Sequence, residues 1–518
     1  MSHRTSDIVV NHANIKQVID SLFPKHSHSR LNVRDGSKWK PRMIAAAALL
    51  WATGKDSTLG ARFNIARKIV AKVFRWQNAP GVTYQGFICV LRKWHENLKQ
   101  VLIPHLRAQM ELELLSRWLV AGYHLFAVDG SRVGLSRTAS LEKAFSPKPK
   151  PKAKKTKANS TAKAKKSPAK KIDKAEKAAK KKQAEAAAKK RSSPQMWLTL
   201  LWHVGTGLPW AWRTGPSDSS ERDHLKEMLK SELPENALIT ADAGFVGYQF
   251  WADILDAGRH FVIRVGGNVR LLTDLGFARQ YDHTVYLWPD QQSKKKQPPL
   301  VLRLIVINNG KHPVYLVTDL LKSELSDAQA AMVYRARWGI ELFFRTFKQT
   351  FGCRKLRSRS PKNADLELDW SLLGLWCICF LGQRELARNG EDISRLSPAA
   401  AIEAFQTMLW DYRVRPESHA DTLWEKLRVA LLDDYERKSS KTSRSYPTQK
   451  KQKAIGSPKI TEATTNQIDA AQQLKLQQCE IHFTAYSATP SKDDSSSIRW
   501  LLCAVIGQWL GRGGSPTD

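Results

Sequence analysis

Three carboxylates and three partners for them stand out in this sequence by type and spacing. Asp129 closes a short apolar run, His124 to Gly130 (HLFAVDG), and Asp242 closes another within Ala237 to Phe245 (ALITADAGF). A carboxylate at the C-terminal end of a strand, beside a turn that leaves it open, is a common way to build a metal site in an α/β domain. The third acid, Glu341, lies in Ser326 to Gly352, SDAQAAMVYRARWGIELFFRTFKQTFG, where Arg337, Glu341 and Lys348 follow Tyr334 at offsets of three, seven and fourteen. At roughly 100° per residue these four fall within about 60° of one another on one helix face. Taken alone, such a stripe is more often a solvated charged face. Beside two strand-end aspartates it reads differently, because three carboxylates brought together repel unless divalent cations neutralise them. That need is the physical content of a two-metal site for phosphoryl transfer.

The elements that must position these residues are legible around them. Ser326 to Gly352 reads as one long helix with clean ends. Ser326 caps its first turn, Gln329 completes a capping box, and Gly352 ends it in the left-handed conformation that only glycine adopts cheaply. Ile340, Phe343 and Phe347 supply its packing face. Upstream, Gln195 to Gly205 and Leu208 to Gly215 read as two strands joined by a Gly-bearing turn, and Ser219 to Leu233 as a helix. Asp242 closes the next strand, Phe245 to Ala257 is a helix and His260 to Val265 a strand. This order predicts an α/β fold with an RNase H-like mixed sheet, Asp129 ending its first strand and Asp242 its fourth, side by side, and Glu341 returning on a later helix.

The spacing Tyr334-x2-Arg337-x3-Glu341-x6-Lys348 resembles the Y-R-E-K signature of DDE transposases of the insertion-sequence-four family. Asp129 in VDGSR and Asp242 in TADAGF look like that family's first and second aspartates, and Leu356 to Trp376 is similar to its post-catalytic segment. The resemblance covers roughly Leu125 to Ala387, apart from a Lys-rich insert. It implies an RNase H-like catalytic core in which Asp129, Asp242 and Glu341 hold two Mg²⁺ or Mn²⁺ ions. It further implies that Tyr334, Arg337 and Lys348 grip phosphates at the scissile position; Trp338, one residue from Arg337, either packs against a displaced base or fills the gap it leaves, or is a core tryptophan. The partners implied are double-stranded DNA, as terminal inverted repeats and as target, and a second copy of the chain in a synaptic homodimer. In that family an aromatic of the β-rich insertion can stack on a flipped base. Tyr315 is the candidate here, against the alternative of a core tyrosine.

Composition fits such partners. Across 518 residues the net charge is +35, which points to a polyanion, nucleic acid before membrane. Six cysteines are scattered with no CxxC and no zinc spacing, so reduced thiols and a cytoplasmic, nucleoid-associated setting are expected. No signal peptide is read at the start, and the longest apolar runs, Leu372 to Leu381 and Trp500 to Leu510, are too short to span a bilayer.

The organisation expected is modular. Residues 1–120 form a helical domain in which Thr58 to Val73 is either half of a helix-turn-helix, with Arg62, Arg67 and Lys68 on phosphate, or part of an ordinary amphipathic pair; the resemblance favours recognition of end DNA. Residues 121–265 are the first part of the core, interrupted at 147–193 by a disordered Lys-, Ala- and Pro-rich insert with 19 Lys and Arg against three acids. A β-strand insertion follows at 266–320, the second part of the core at 321–388 and C-terminal helices at 389–436. A flexible polar and basic tail spans 437–497, and a short apolar segment 498–518. Arg354 to Arg359 (RKLRSR) is a basic loop suited to phosphates. Two other readings stay open: a metal-dependent nuclease of the same fold without strand transfer, and a DNA-compacting protein carrying a decayed core.

Overall fold

The computed structural model describes residues 15–24, 31, 36–74, 79–146, 193–278, 280–308, 312–414 and 455–487. Two compact units divide the chain, one of Met1–Asn268 with Ile305–Ser457, the other of Val269–Leu304 with Pro458–Asp518. The Lys-rich insert and the C-terminal apolar segment fall outside the described residues.

In the first unit the sheet comprises β1 (His124–Gly134), β2 (Gln195–His203), β3 (Leu208–Gly215), β4 (Ala237–Ala241), β5 (His260–Val265) and β9 (Val314–Thr318). Their order is β9-β5-β4-β1-β2-β3. β2 runs antiparallel to β1 and β3, whereas β4 is parallel to β1 and β5. Three antiparallel strands followed by two parallel ones in the order 3-2-1-4-5 make this an RNase H-like mixed sheet. β9 adds an antiparallel strand by pairing with β5. Tyr315 lies on it opposite Val265, so it belongs to this sheet and not to the insertion expected at 266–320. Its phenol oxygen accepts a hydrogen bond from Ser457 Oγ at 3.2 Å.

Helices α1 (Ile15–Leu22), α2 (Pro41–Thr53), α3 (Leu59–Val73) and α4 (Tyr84–Glu113) precede the sheet. They belong to the same compact unit, not to a separate domain of residues 1–120. What recruits them is the later helix α10 (Pro361–Arg388), against which α2 and α4 pack. Its Trp370, Leu372, Leu373, Leu375 and Trp376 are fully buried. This accounts for the apolar run Leu372 to Leu381, and among the described residues no helix is long and apolar enough to cross a membrane. α2 approaches closely because Gly374 is bare; a Cβ there would come within 2.8 Å of Thr53 Cγ2. On α3, Arg62 donates to the Asp56 carbonyl at 2.8 Å, so of the three cations expected on phosphate one is turned back into the fold, while Lys68 is exposed.

The second unit pairs β6 (Arg270–Thr273), β7 (Thr284–Leu287) and β8 (Leu300–Ile307, of which Leu300–Leu304 belong here) as an antiparallel meander. A fourth strand, β10 (Lys459–Glu462), adds to it parallel to β6, and α12 (Thr465–Ser487) covers it with Ala471 and Leu474 against Leu275, Tyr286 and Trp288. The stretch read as a flexible tail at 437–497 therefore supplies a strand and a helix. β10 is exposed at every position, and among the described side chains of α12 only Ala471 and Leu474 are buried, which accounts for the polar composition of this part.

One buried acid ties α10 to its neighbours. Asp369 meets His95 Nε2 at 2.8 Å and Lys99 Nζ at 2.7 Å, both from α4, and Trp212 Nε1 of β3 donates to its other oxygen at 2.6 Å. Burial pushes its pKa up, but the His95 bond and the charge of Lys99 overcome that and hold it at about 2. Removing the carboxylate leaves the half-buried Lys99 ammonium, the buried His95 imidazole and the Trp212 indole N–H without their shared acceptor, so Asp369→Ala should cost about 3–5 kcal/mol, read as a lowered unfolding midpoint at pH 7. The group's pKa is depressed in the fold, so its stabilisation is present above roughly pH 4 and lost as pH falls through about 2. The gap between variant and parent should therefore narrow in acid; a gap constant from pH 7 to pH 2 would contradict this account.

Candidate active site

The parallel pairing of β1 and β4 ends at Ala127 opposite Thr240. Two residues further along each strand stand Asp129 and Asp242, so the register that pairs the strands also sets the two acids abreast. Asp129 does not end its strand, as the sequence suggested. β1 continues to Gly134 as one arm of a hairpin with β2, Asp129 lying opposite Leu200. What ends at Asp129 is the pairing with β4. Asp129 Oδ1 accepts from Gly130 N at 2.9 Å, and Asp242 Oδ1 from Gly244 N at 2.8 Å, a local turn bond that orients each carboxylate.

Glu341 arrives on a helix that differs from the single one expected over 326–352. It is α8 (Asp327–Ala336), a tight joint at Arg337 and Trp338, α9 (Gly339–Arg345) and a π turn at Thr346–Thr350. At the joint the bonds shorten to i→i−3, as from Trp338 N to Arg335 O and Ile340 N to Arg337 O. At the π turn they lengthen, Phe351 N reaching Thr346 O at 2.9 Å. Both ends are as the sequence predicts: Ser326 and Gln329 form the reciprocal capping box, and Gly352 has φ +84°. α8 is anchored by Ala330 and Val333 against Leu125, Leu238, Val262 and Leu316 of four adjacent strands. α9 packs on β1, and a Cβ at Gly339 would collide with the Trp202 ring of β2. Gly339 is thus what lets the helix lie close enough to bring Glu341 to Asp129.

The four signature residues remain on one side despite the breaks. Arg337 is buried, its Nη2 3.1 Å from Glu341 Oε1 and its guanidinium carbon 5.6 Å from the Tyr334 ring centroid. Its charge is strengthened by Tyr334, Glu341, Asp129 and Asp242 around it. Lys348 donates to Ser131 Oγ, two residues beyond Asp129 on β1, and burial lowers its pKa. Trp338 stands 57% exposed at the joint.

A fourth acid, missed by sequence reasoning, joins the site. Glu221 opens α6 (Glu221–Ser231) behind the Ser220 cap, where an acid ordinarily just complements the helix dipole, so nothing in the sequence set it apart. Burial first, and then the charges of Asp129 and Asp242, raise Glu221 to about 7. Asp129 is likewise pushed up to about 6, first by burial and then by Asp242 and Glu341.

The donors are carboxylate oxygens without sulfur or imidazole, which suits hard divalent cations such as Mg²⁺ or Mn²⁺, and the acids repel one another as a set short of positive charge. The oxygens of Asp129, Asp242 and Glu341 do not all lie within 4.8 Å of one another. Among the described residues the group that does is His95, Glu96 and Asp369. There Lys99 already supplies the cation, 2.7 Å from Asp369 and 3.8 Å from Glu96, so that cluster is a structural ion network.

Residues 122–377 match the family model described as the transposase DDE domain, a span that takes in all three acids. The transposase InsG of insertion sequence element IS4, from Escherichia coli (strain K12), is 28% identical over 192 residues, covering 35% of this chain and 42% of that protein. Over this span the chain is similar to DDE transposases of the insertion-sequence-four type. The match thus spans less than half the length of that curated relative. Among solved structures, a piggyBac transposase synaptic complex with hairpin DNA superposes with a TM-score of 0.37 at 11% identity, over 84% of this chain and 88% of that one.

The raised acids make a test of the metal-free site. A carboxylate whose pKa is raised in the fold keeps a proton that the unfolded chain gives up, so stability falls as pH rises from about 4 towards 6 for Asp129. Asp129→Asn, which keeps the bond to Gly130 N, should therefore stabilise the metal-free protein at pH 8 by roughly 1–3 kcal/mol and leave it unchanged at pH 4. Thermal melts in chelator at the two pH values check this; equal effects at both would remove the electrostatic explanation.

Proposed function

We propose that this chain is a transposase that cuts DNA at the ends of a mobile element and transfers the freed 3′ ends into a target duplex. The observation that carries the reading is that Asp129 and Asp242 follow the end of the β1–β4 pairing and that the charges of Asp242 and Glu341, the latter from the helix packed on β1, both act on Asp129. Mg²⁺ or Mn²⁺, held as a pair by these acids, would activate a water or 3′-hydroxyl and stabilise the leaving oxygen. The protein's own residues do the positioning. Arg337 fixes the Glu341 carboxylate through its ion pair and offsets the acids' charge while no phosphate or cation is bound. Lys348, held at Ser131, presents its ammonium beside Asp129, where a scissile phosphate would lie. Tyr334, stacked under Arg337, shapes the same face. Trp338 is exposed one residue from Arg337, which supports its packing into the gap left by a displaced base.

Double-stranded DNA would run over the cations around this face. Arg354, Lys355, Arg357 and Arg359 are exposed on a loop stitched to the end of β1 by the Gly134–Arg354 and Leu356–Gly134 backbone bonds. The net charge of +35 supports a polyanionic partner, and the insert at 147–193 would add affinity without sequence preference through counterion release. Binding of the ends by the N-terminal helices, a homodimeric synaptic complex and a nucleoid-associated location belong to the same proposal.

Asp129→Asn, Asp242→Asn and Glu341→Gln should each abolish Mg²⁺-dependent nicking of DNA bearing the element's ends while leaving end binding near parental. A variant nicking at the parental rate would refute its residue's place at the metals. Lys348→Ala should lower the slope of log affinity against log salt by about one, the loss of a single phosphate contact. An unchanged slope would mean that Lys348 only braces Ser131.

A further inference from the structure

The first turn of α6 lies directly over the residue that follows Asp129. A Cβ built on Gly130 would collide with the Glu221 carboxyl, its Cδ 2.7 Å and Cγ 2.8 Å away. Gly130 is therefore bare at the one point of β1 where a side chain would exclude Glu221. The glutamate is set there by the Ser220 cap, whose hydroxyl takes the Asp223 N–H at 3.3 Å and fixes where the helix begins. α6 in turn packs on β1, β2 and β3. Glu221 makes no hydrogen bond or ion pair among the described residues; Arg132 and Arg222 act on it only through space. The charges of two acids, Asp129 and Asp242, reach it, and Gly130, which its carboxyl overlies, is the residue next to Asp129. A carboxylate with free lone pairs, half-buried against two others and given room by a glycine, is placed as a ligand and not as a brace.

We propose that Glu221 is a fourth carboxylate of the metal site, contributing an oxygen to the divalent cation held by Asp129 and Asp242. The proposal rests on the reading of Asp129, Asp242 and Glu341 as that site. Glu221 approaches from α6 and Glu341 from α9, so the two acids come from independent elements. In this arrangement Asp129 and Asp242 are common to the cluster, and Glu221 completes the charge needed for a second positive ion, since four carboxylates balance two divalent cations.

The test is Mn²⁺ binding to the full-length protein without DNA, followed by loss of the free Mn²⁺ electron paramagnetic signal. Glu221→Gln should weaken Mn²⁺ binding about tenfold or more, or lower the number of ions bound, whereas Glu221→Asp should retain part of it. Asp129→Asn is run beside it. If Asp129→Asn loses Mn²⁺ and Glu221→Gln binds like the parent, Glu221 is only a helix-start acid and this proposal is overturned while the site stands. If both bind like the parent, the metal-site reading itself fails. Should Glu221→Gln not fold, by circular dichroism, Gly130→Ala displaces the same carboxyl from the other side and should weaken Mn²⁺ in the same way; parental binding by that variant would likewise overturn the proposal.

Discussion

Mutual repulsion among carboxylates at one end of a parallel strand pair is what the surrounding structure has to resist. Asp129 and Asp242 are abreast because β1 and β4 are in register two residues earlier, and backbone pairing is far stiffer than any side-chain adjustment. Their repulsion is met in three ways. Turn N–H groups of Gly130 and Gly244 hold an oxygen of each acid. Arg337 is buried among them as a fixed cation. The helix bearing Glu341 is nailed down by its capping box at one end and by the left-handed Gly352 at the other. On the function proposed above, such bracing would preorganise the site for cations and phosphate before either arrives.

That helix also carries departures from ideal geometry. A regular α-helix over 326–352 would have satisfied the periodicity equally well, and the periodicity holds no trace of the joint at Arg337–Trp338 or the π turn at Thr346–Thr350. Their cause is tertiary. Gly339 must come against the Trp202 ring and Phe347 must be buried while Lys348 reaches Ser131. Segments of 3₁₀ and π geometry in one helix are frequent where a functional side chain is aimed.

The legible parts of the protein were those governed by local rules. Strand order, the capping box, Gly352 and the strand-end placement of Asp242 follow from alternation, cap chemistry and turn residues. Long-range pairing left no such mark. Tyr315 was assigned with the neighbouring β-rich stretch because nothing in VYLVT shows that its strand pairs with β5. Glu221 looked like any first-turn acid, and only the bare Gly130 opposite it shows why it differs. The N-terminal helices read as a domain because their own amphipathicity says nothing of α10, whose burial calls for them.

The second unit is assembled from two stretches that the chain makes far apart, β6 to β8 early and β10 with α12 late, with Ile305–Ser457 between them. Until β10 is synthesised, β6 is an open edge, its N–H and C=O groups unpaired, and Leu275, Tyr286 and Trp288 lack the helix that covers them. At roughly 5–20 residues per second on the ribosome, that interval lasts on the order of ten seconds. Two nascent chains on one messenger would present matching unpaired edges in that window, so the order of synthesis leaves this unit open to joining the wrong copy of itself.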